Sequence, residues 1–172
     1  PLRKGFLYLL QAWERLQLQN ARLLLRTDAP LHRFPALRDL LQRLPNVEVV
    51  GYLDNMSDFY RQCDAFVFPT LDDCFGMALL EAMAHELPCI TTTHCGAAEL
   101  FTPDQDLLVV PARDAEAMAV AMESLYHSSD LRQYLGANAH EATGHLDGDG
   151  SHLLYAKTLD RIIASINAAD SK

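Results

Sequence analysis

The stretch Ala65-Phe-Val-Phe-Pro69 is apolar at every position. It lacks the apolar–polar alternation of a sheet with one wet face, so as a strand it must be covered on both faces. Ala21-Arg-Leu-Leu-Leu25, Val47-Glu-Val-Val-Gly51, Cys89-Ile-Thr-Thr92 and Leu107-Leu-Val-Val110 read as further short strands. Among them, Phe6, Leu9, Leu10, Trp13 and Leu16 recur at helical spacing within residues 5–18,. Helices are also predicted at 34–44, ended by Pro45, at 55–62 with Asn55 or Ser57 as cap, and at 76–86, 114–127, 129–142 and 152–168,. Residues 144–150 are a loop by composition,. Strands alternating with helices predict an α/β fold: a parallel sheet with helices on both faces. Right-handed crossovers make it a Rossmann-like, doubly wound domain. Such sheets bind ligands beyond the carboxyl ends of their strands, so functional residues are expected in the loops after Val50, Phe68 and Thr92.

The chain's 172 residues make one domain of ordinary size, and 49% apolar content suffices for a full core,. No apolar run reaches the roughly 18 residues that a membrane span needs. The first residues, Pro1-Leu-Arg-Lys-Gly, are neither a signal peptide nor a natural start, and a fragment of a longer protein is expected,. The net charge of −9 is uneven, +3 over residues 1–61 and −12 over residues 62–172. That balance excludes wrapping of nucleic acid, which demands many phosphate-neutralising contacts. An anion site, if present, is local and belongs in the N-terminal third. Cys63, Cys74, Cys89 and Cys95 form no CxxC, and no Cys/His spacing suits zinc, so reduced thiols in a cytoplasmic protein are expected and no metal,.

The segment most open to chemistry is Pro69-Thr-Leu-Asp-Asp-Cys-Phe-Gly-Met-Ala-Leu-Leu-Glu81. A buried strand ends, an acidic loop follows, and Gly76 opens a helix. The amides of Gly76, Met77 and Ala78 would then be unpaired donors at a positive helix end, where an anion can sit. Asp73 precedes the helix, and Glu81 lies more than one turn inside it, where a carboxylate can accept hydrogen bonds from a ribose diol. Spacing alone favours the plainer reading, with Asp72 or Asp73 as a helix cap and Glu81 as a solvated face residue.

Asp73-Cys-Phe-Gly-Met-Ala-Leu-Leu-Glu-Ala-Met-Ala resembles the Glu-x7-Glu signature of the retaining nucleotide-sugar glycosyltransferases of family 4, enzymes with the two-domain GT-B fold. Arg3-Lys-Gly-Phe-Leu-Tyr-Leu-Leu-Gln-Ala is similar to that family's Lys-Gly helix start. Val49-Val-Gly-Tyr-Leu, Cys63-Asp-Ala-Phe-Val-Phe-Pro, Leu87-Pro-Cys-Ile-Thr-Thr and Gly96-Ala-Ala-Glu-Leu-Phe resemble its later blocks, in order. The resemblance covers about residues 3–143. Asp73 stands one methylene short of the family's Glu, Cys74 replaces a small residue, and Asp106 sits where Gly is frequent.

The resemblance implies one half of a GT-B fold: residues 1–172 as the carboxyl-terminal domain that binds a nucleoside-diphosphate sugar as substrate, with no cofactor and no metal. The implied activity is hexosyl transfer in carbohydrate biosynthesis. Lys4 is implied to face the donor diphosphate and Asp73 the sugar, both as catalytic groups. Glu81 is implied as the ribose anchor, with Phe75, Gly76, Met77, Tyr52 and His94 as further substrate-binding residues. Tyr52 fits ordinary packing as well as a border for the base, and His94 fits a solvated loop as well as a phosphate or hydroxyl donor. Glu99 is expected to cap the following turn. The N-terminal acceptor domain is expected to be absent, and with it any peripheral membrane association, so the fragment alone is expected to be inactive. A nucleotide-sugar epimerase of similar fold and a non-catalytic binding or scaffold domain are the rival readings. The resemblance also implies an absent first strand, ending in Gly-Arg. In Rossmann order it would lie between the strands at 21–25 and 65–68. Those two strands are therefore expected either to be bridged by other polypeptide or to be pulled together, with displacement of Lys4.

Overall fold

A computed structural model of the chain describes residues 2–144. Helix α1 (Phe6–Leu16) leads to strand β1 (Leu23–Arg26), helix α2 (Pro35–Arg43) and strand β2 (Val47–Val50). The short helix α3 (Met56–Tyr60) precedes strand β3 (Phe66–Phe68), helix α4 (Met77–Ala84) and strand β4 (Cys89–Thr92). Strand β5 (Leu108–Val110) and helices α5 (Ala115–His127) and α6 (Ser129–Gly144) complete the order. The helix expected at 152–168 and most of the loop at 144–150 lie outside the described residues.

All strand pairs are parallel. Successive side chains of a strand leave by opposite faces. Ile90 and Val110 thus pack with Leu10, Leu40, Met118 and Leu125 in one core. Their neighbours Cys89 and Val109 meet Tyr60, Leu79, Met83 and Ala139 in the other. Helices α1, α2 and α5 cover the first face, and α3, α4 and α6 the second, as the doubly wound reading predicts. Met118, Met122, Leu125 and Leu135 are all buried core residues. Asn46 fastens the first layer. Its Oδ1 accepts from Trp13 Nε1 at 3.1 Å, and its Nδ2 donates to the carbonyls of Leu18 and Ala21.

The sheet is divided. One part has the order β1-β2 and the other β3-β4-β5, with no ladder between β1 and β3. Among the described residues, the two edges are neither bridged by other polypeptide nor hydrogen-bonded to each other. They stand apart across a cleft of about 680 Å³ lined by Leu23, Leu24, Ala65, Val67, Ile90 and Trp13, among others. Both faces of strand β3 are covered, as expected: Val67 packs on the first core and Phe66 and Phe68 on the second. Phe66 and Val67 are only half-buried because, among the described residues, β3 has a neighbour on one side alone. Strand β4, flanked on both sides, is buried at all four positions.

Candidate active site

Three loops meet at the carboxyl edge of the three-stranded sheet, and backbone hydrogen bonds join them. The Arg3 carbonyl accepts from the Leu71 N–H at 2.8 Å. Asp73 N–H donates to the His94 carbonyl at 3.1 Å, Gly96 N–H returns to the Asp73 carbonyl at 3.0 Å, and Ala97 N–H donates to the Phe75 carbonyl at 2.7 Å. Below them the buried Thr92 hydroxyl donates to the Thr70 carbonyl at 2.6 Å. The segment between β3 and α4 is thereby fixed on both flanks.

Two glycines permit this closeness. Gly5, which opens α1, has φ +71°, and a Cβ there would overlap the Pro69 carbonyl. Gly76, the residue before α4, has φ +90°, and a Cβ would lie 2.5 Å from Cys95 Sγ. Both positions need the left-handed region that glycine alone enters without strain.

Lys4 Nζ donates to Asp73 Oδ2 at 2.5 Å and lies 5.0 Å from the centre of the Phe68 ring. Asp73 Oδ1 accepts from the Phe75 N–H at 3.3 Å. Partial burial alone would raise the Asp73 carboxyl. The hydrogen bond and charge of Lys4, with backbone N–H groups of Phe75 and Gly76, outweigh it and hold the group below the usual carboxylate range,. Lys4 therefore stays beside the start of α4, with Asp73 as its immediate partner. Asp73 caps the turn leading into the helix rather than the helix itself, since the residue before α4 is Gly76 and no side chain caps it. In the first turn of α4 the Leu79 and Leu80 N–H groups donate to the Gly76 carbonyl at 2.9 and 3.4 Å, and no side chain caps the Met77 and Ala78 N–H groups,.

One turn further on, Glu81 Oε2 accepts from the Tyr60 hydroxyl at 2.9 Å. Tyr60 closes α3 and is 2% exposed. Burial, and then the Glu81 carboxylate beside it, push its phenol far above the ordinary range, so it remains a donor,. Sequence reading missed this residue. The available signal was a tyrosine rather than a phenylalanine at the buried end of a short helix, which calls for a polar partner,.

The remaining candidates are less closely assembled. Phe75 is half-buried and Met77 is 56% exposed at the mouth of α4. His94 is exposed, and its Nδ1 lies 2.9 Å from the Leu71 carbonyl. A carbonyl only accepts, so Nδ1 carries the proton and Nε2 faces outward. Tyr52 follows β2 in the other part of the sheet and is 75% exposed, so the packing reading of this residue fails. Glu99 does not cap a turn. It lies inside a 3₁₀ helix, Gly96–Leu100, whose cap position is Cys95. Asp106 serves the backbone, with Oδ2 accepting from the Thr102 N–H at 2.8 Å. All four cysteines are free thiols, and burial raises Cys63, Cys89 and Cys95.

A doubly wound parallel domain with its candidate groups gathered at the strands' carboxyl edge matches the Rossmann-like half of GT-B glycosyltransferases. The chain belongs to the family described as glycosyl transferases group 1, whose family model matches residues 1–128. Over 98 residues it is 34% identical to the capsular polysaccharide biosynthesis glycosyltransferase CapM of Staphylococcus aureus, covering 57% of this chain and 26% of CapM. Among solved structures, sucrose-phosphate synthase from Thermosynechococcus elongatus superposes with a TM-score of 0.76 at 25% identity, covering 96% of this chain and 44% of that one. Anabaena HepE in complex with UDP-glucose shares the fold with a TM-score of 0.76 at 19% identity, over 94% of this chain and 46% of HepE. The chain thus spans about a quarter of CapM and under half of either structure.

Proposed function

We propose that this chain is the carboxyl-terminal, donor-binding domain of a retaining glycosyltransferase of family 4, which moves a hexose from a nucleoside diphosphate to an acceptor held by the other half of a GT-B enzyme. The observation that carries this reading is the Lys4–Asp73 pair, set before the uncapped start of α4 at the carboxyl edge of the sheet. The HepE complex with UDP-glucose, a protein of the same fold, supports a nucleotide sugar as the donor.

In this reading the donor diphosphate meets the first-turn amides of α4 and the Lys4 ammonium. As the sugar–phosphate bond breaks, negative charge grows on the leaving diphosphate, and both groups stabilise it without reorganising. A phosphate that draws Lys4 away frees the Asp73 carboxylate to face the positive charge developing at the anomeric carbon. Glu81 accepts from the ribose hydroxyls, Tyr52 borders the base, and His94 Nε2, the accepting nitrogen when Nδ1 carries the proton, takes a hydrogen bond from a sugar hydroxyl,. The diphosphate charge is met by protein groups, and the reading includes neither metal nor cofactor. Free thiols, most of them raised by burial, fit a reducing, cytoplasmic setting,. The cleft between β1 and β3 completes the proposal. Two parallel edges, unpaired among the described residues and facing a mainly apolar slot, fit one further parallel strand, which would close the sheet,.

The reading is tested by incubating the intact protein with UDP-, GDP- and ADP-hexoses and following nucleoside diphosphate release and product configuration by NMR. Release with one base preferred and a retained anomeric configuration is expected. An inverted product contradicts retention, and failure to bind any of the three donors supports the scaffold reading.

A further inference from the structure

Tyr60 does more than fill the core. Its ring is enclosed by Phe59, Phe66 and His85, with centroids 6.0, 5.8 and 5.0 Å away. A phenylalanine would satisfy that environment. The hydroxyl is the additional feature, and both its partners lie on α4: Glu81 Oε2 at 2.9 Å and the Ala78 carbonyl at 3.5 Å. Glu81 is otherwise an exposed glutamate on a helix surface, free to sample several rotamers,. The rigid, buried phenol holds one carboxylate oxygen and leaves Oε1 directed away from it. Because the phenol stays protonated, the hold persists across the whole neutral range. It also ties α3, which follows the loop carrying Tyr52, to the helix whose start faces the diphosphate in the proposed function.

We infer that Tyr60 is a positioning residue, which holds the Glu81 carboxylate ready to accept the ribose 2′- and 3′-hydroxyls of a nucleoside diphosphate and so sets the preference for ribonucleotides. This rests on the donor-binding reading of Glu81. The alternative is a core tyrosine whose hydroxyl merely finds a convenient acceptor.

Calorimetric titration of the intact protein with the preferred nucleoside diphosphate and its 2′,3′-dideoxy counterpart separates the two. Tyr60→Phe is compared with the wild type, and the comparison is repeated in a Glu81→Gln background. The expected result is that Tyr60→Phe weakens the ribonucleotide by about fivefold to tenfold, the scale of one ordinary hydrogen bond, since the hydroxyl acts through Glu81. The dideoxynucleotide should be nearly unaffected, and the effect should shrink when Glu81 is already changed. Equal weakening of both nucleotides, or an undiminished effect in the Glu81→Gln background, overturns the positioning role and leaves a structural one. Failure of the underlying reading has a separate signature: Glu81→Gln by itself leaves the ribose preference intact. Should Tyr60→Phe unfold, Tyr60→His, whose shorter ring cannot reach Glu81 as the phenol does, is titrated instead and is expected to lose ribose preference. A wild-type preference in the folded Tyr60→His variant overturns the inference.

Discussion

Lys4 and Asp73 are 69 positions apart in sequence, yet their side chains meet at 2.5 Å. The family resemblance assigned each a separate task and offered no reason to join them; the pairing comes from Gly5 packing on Pro69. Because Asp73 is held below the ordinary carboxyl range, its contribution to stability is complete above about pH 4, the unfolded value, and disappears as the pH falls through the lower folded value,. Asp73→Asn is accordingly expected to lose about 0.5–1 kcal/mol at pH 7, after allowance for the solvent that reaches Lys4, with the deficit vanishing in acid. Urea unfolding of both forms at pH 7 and pH 2.5 measures this, and a pH-independent deficit would contradict it. Gly76→Ala is expected to cost about 1–3 kcal/mol, since it combines positive φ with the approach of Cys95 Sγ,. The thermal midpoint reads that cost. In catalysis, Glu81→Ala should weaken donor binding by about 1–3 kcal/mol, whereas Asp73→Ala should lower turnover more than affinity. Steady-state kinetics with varied donor distinguishes the two patterns.

At the scale of elements, the apolar runs located the five strands of the described residues to within two residues. The period of 3.6 likewise located the helices among the described residues. Such patterns are legible because a parallel strand and the helix covering it bury their side chains wherever the fold places them. The division of the sheet was legible only as a gap, since no local pattern states how far apart two edges settle. Tyr60 and Glu81 stayed unpaired in the sequence for a related reason: a single hydroxyl leaves no periodic trace. The cleft itself makes a prediction. Trp13, the only tryptophan of the chain, lines it. An N-terminal extension supplying one apolar strand is expected to raise the thermal midpoint and shift Trp13 emission to the blue. Amide exchange at the open edges of β1 and β3 should also slow toward that of β4. An extension that leaves Trp13 emission and exchange unchanged would show that the slot takes no strand.

At the scale of the whole molecule the proposed function makes this chain a half-site: among the described residues the cation, carboxylates and helix start stand on one edge, and the acceptor is assigned to the other half of the enzyme. Residues 1–172 alone are therefore expected to transfer no sugar, as tested with any donor that the intact protein uses. The central claim is narrower, namely that a nucleoside diphosphate seats its phosphates between Lys4 and the start of α4. Titrating the intact protein and its Lys4→Met variant with UDP, GDP and ADP tests it directly. Binding of one nucleotide by the unaltered protein, weakened about tenfold or more in Lys4→Met while the fold persists, is the predicted result. Equal affinity in the two proteins, or no binding of any of the three by the unaltered one, would contradict it.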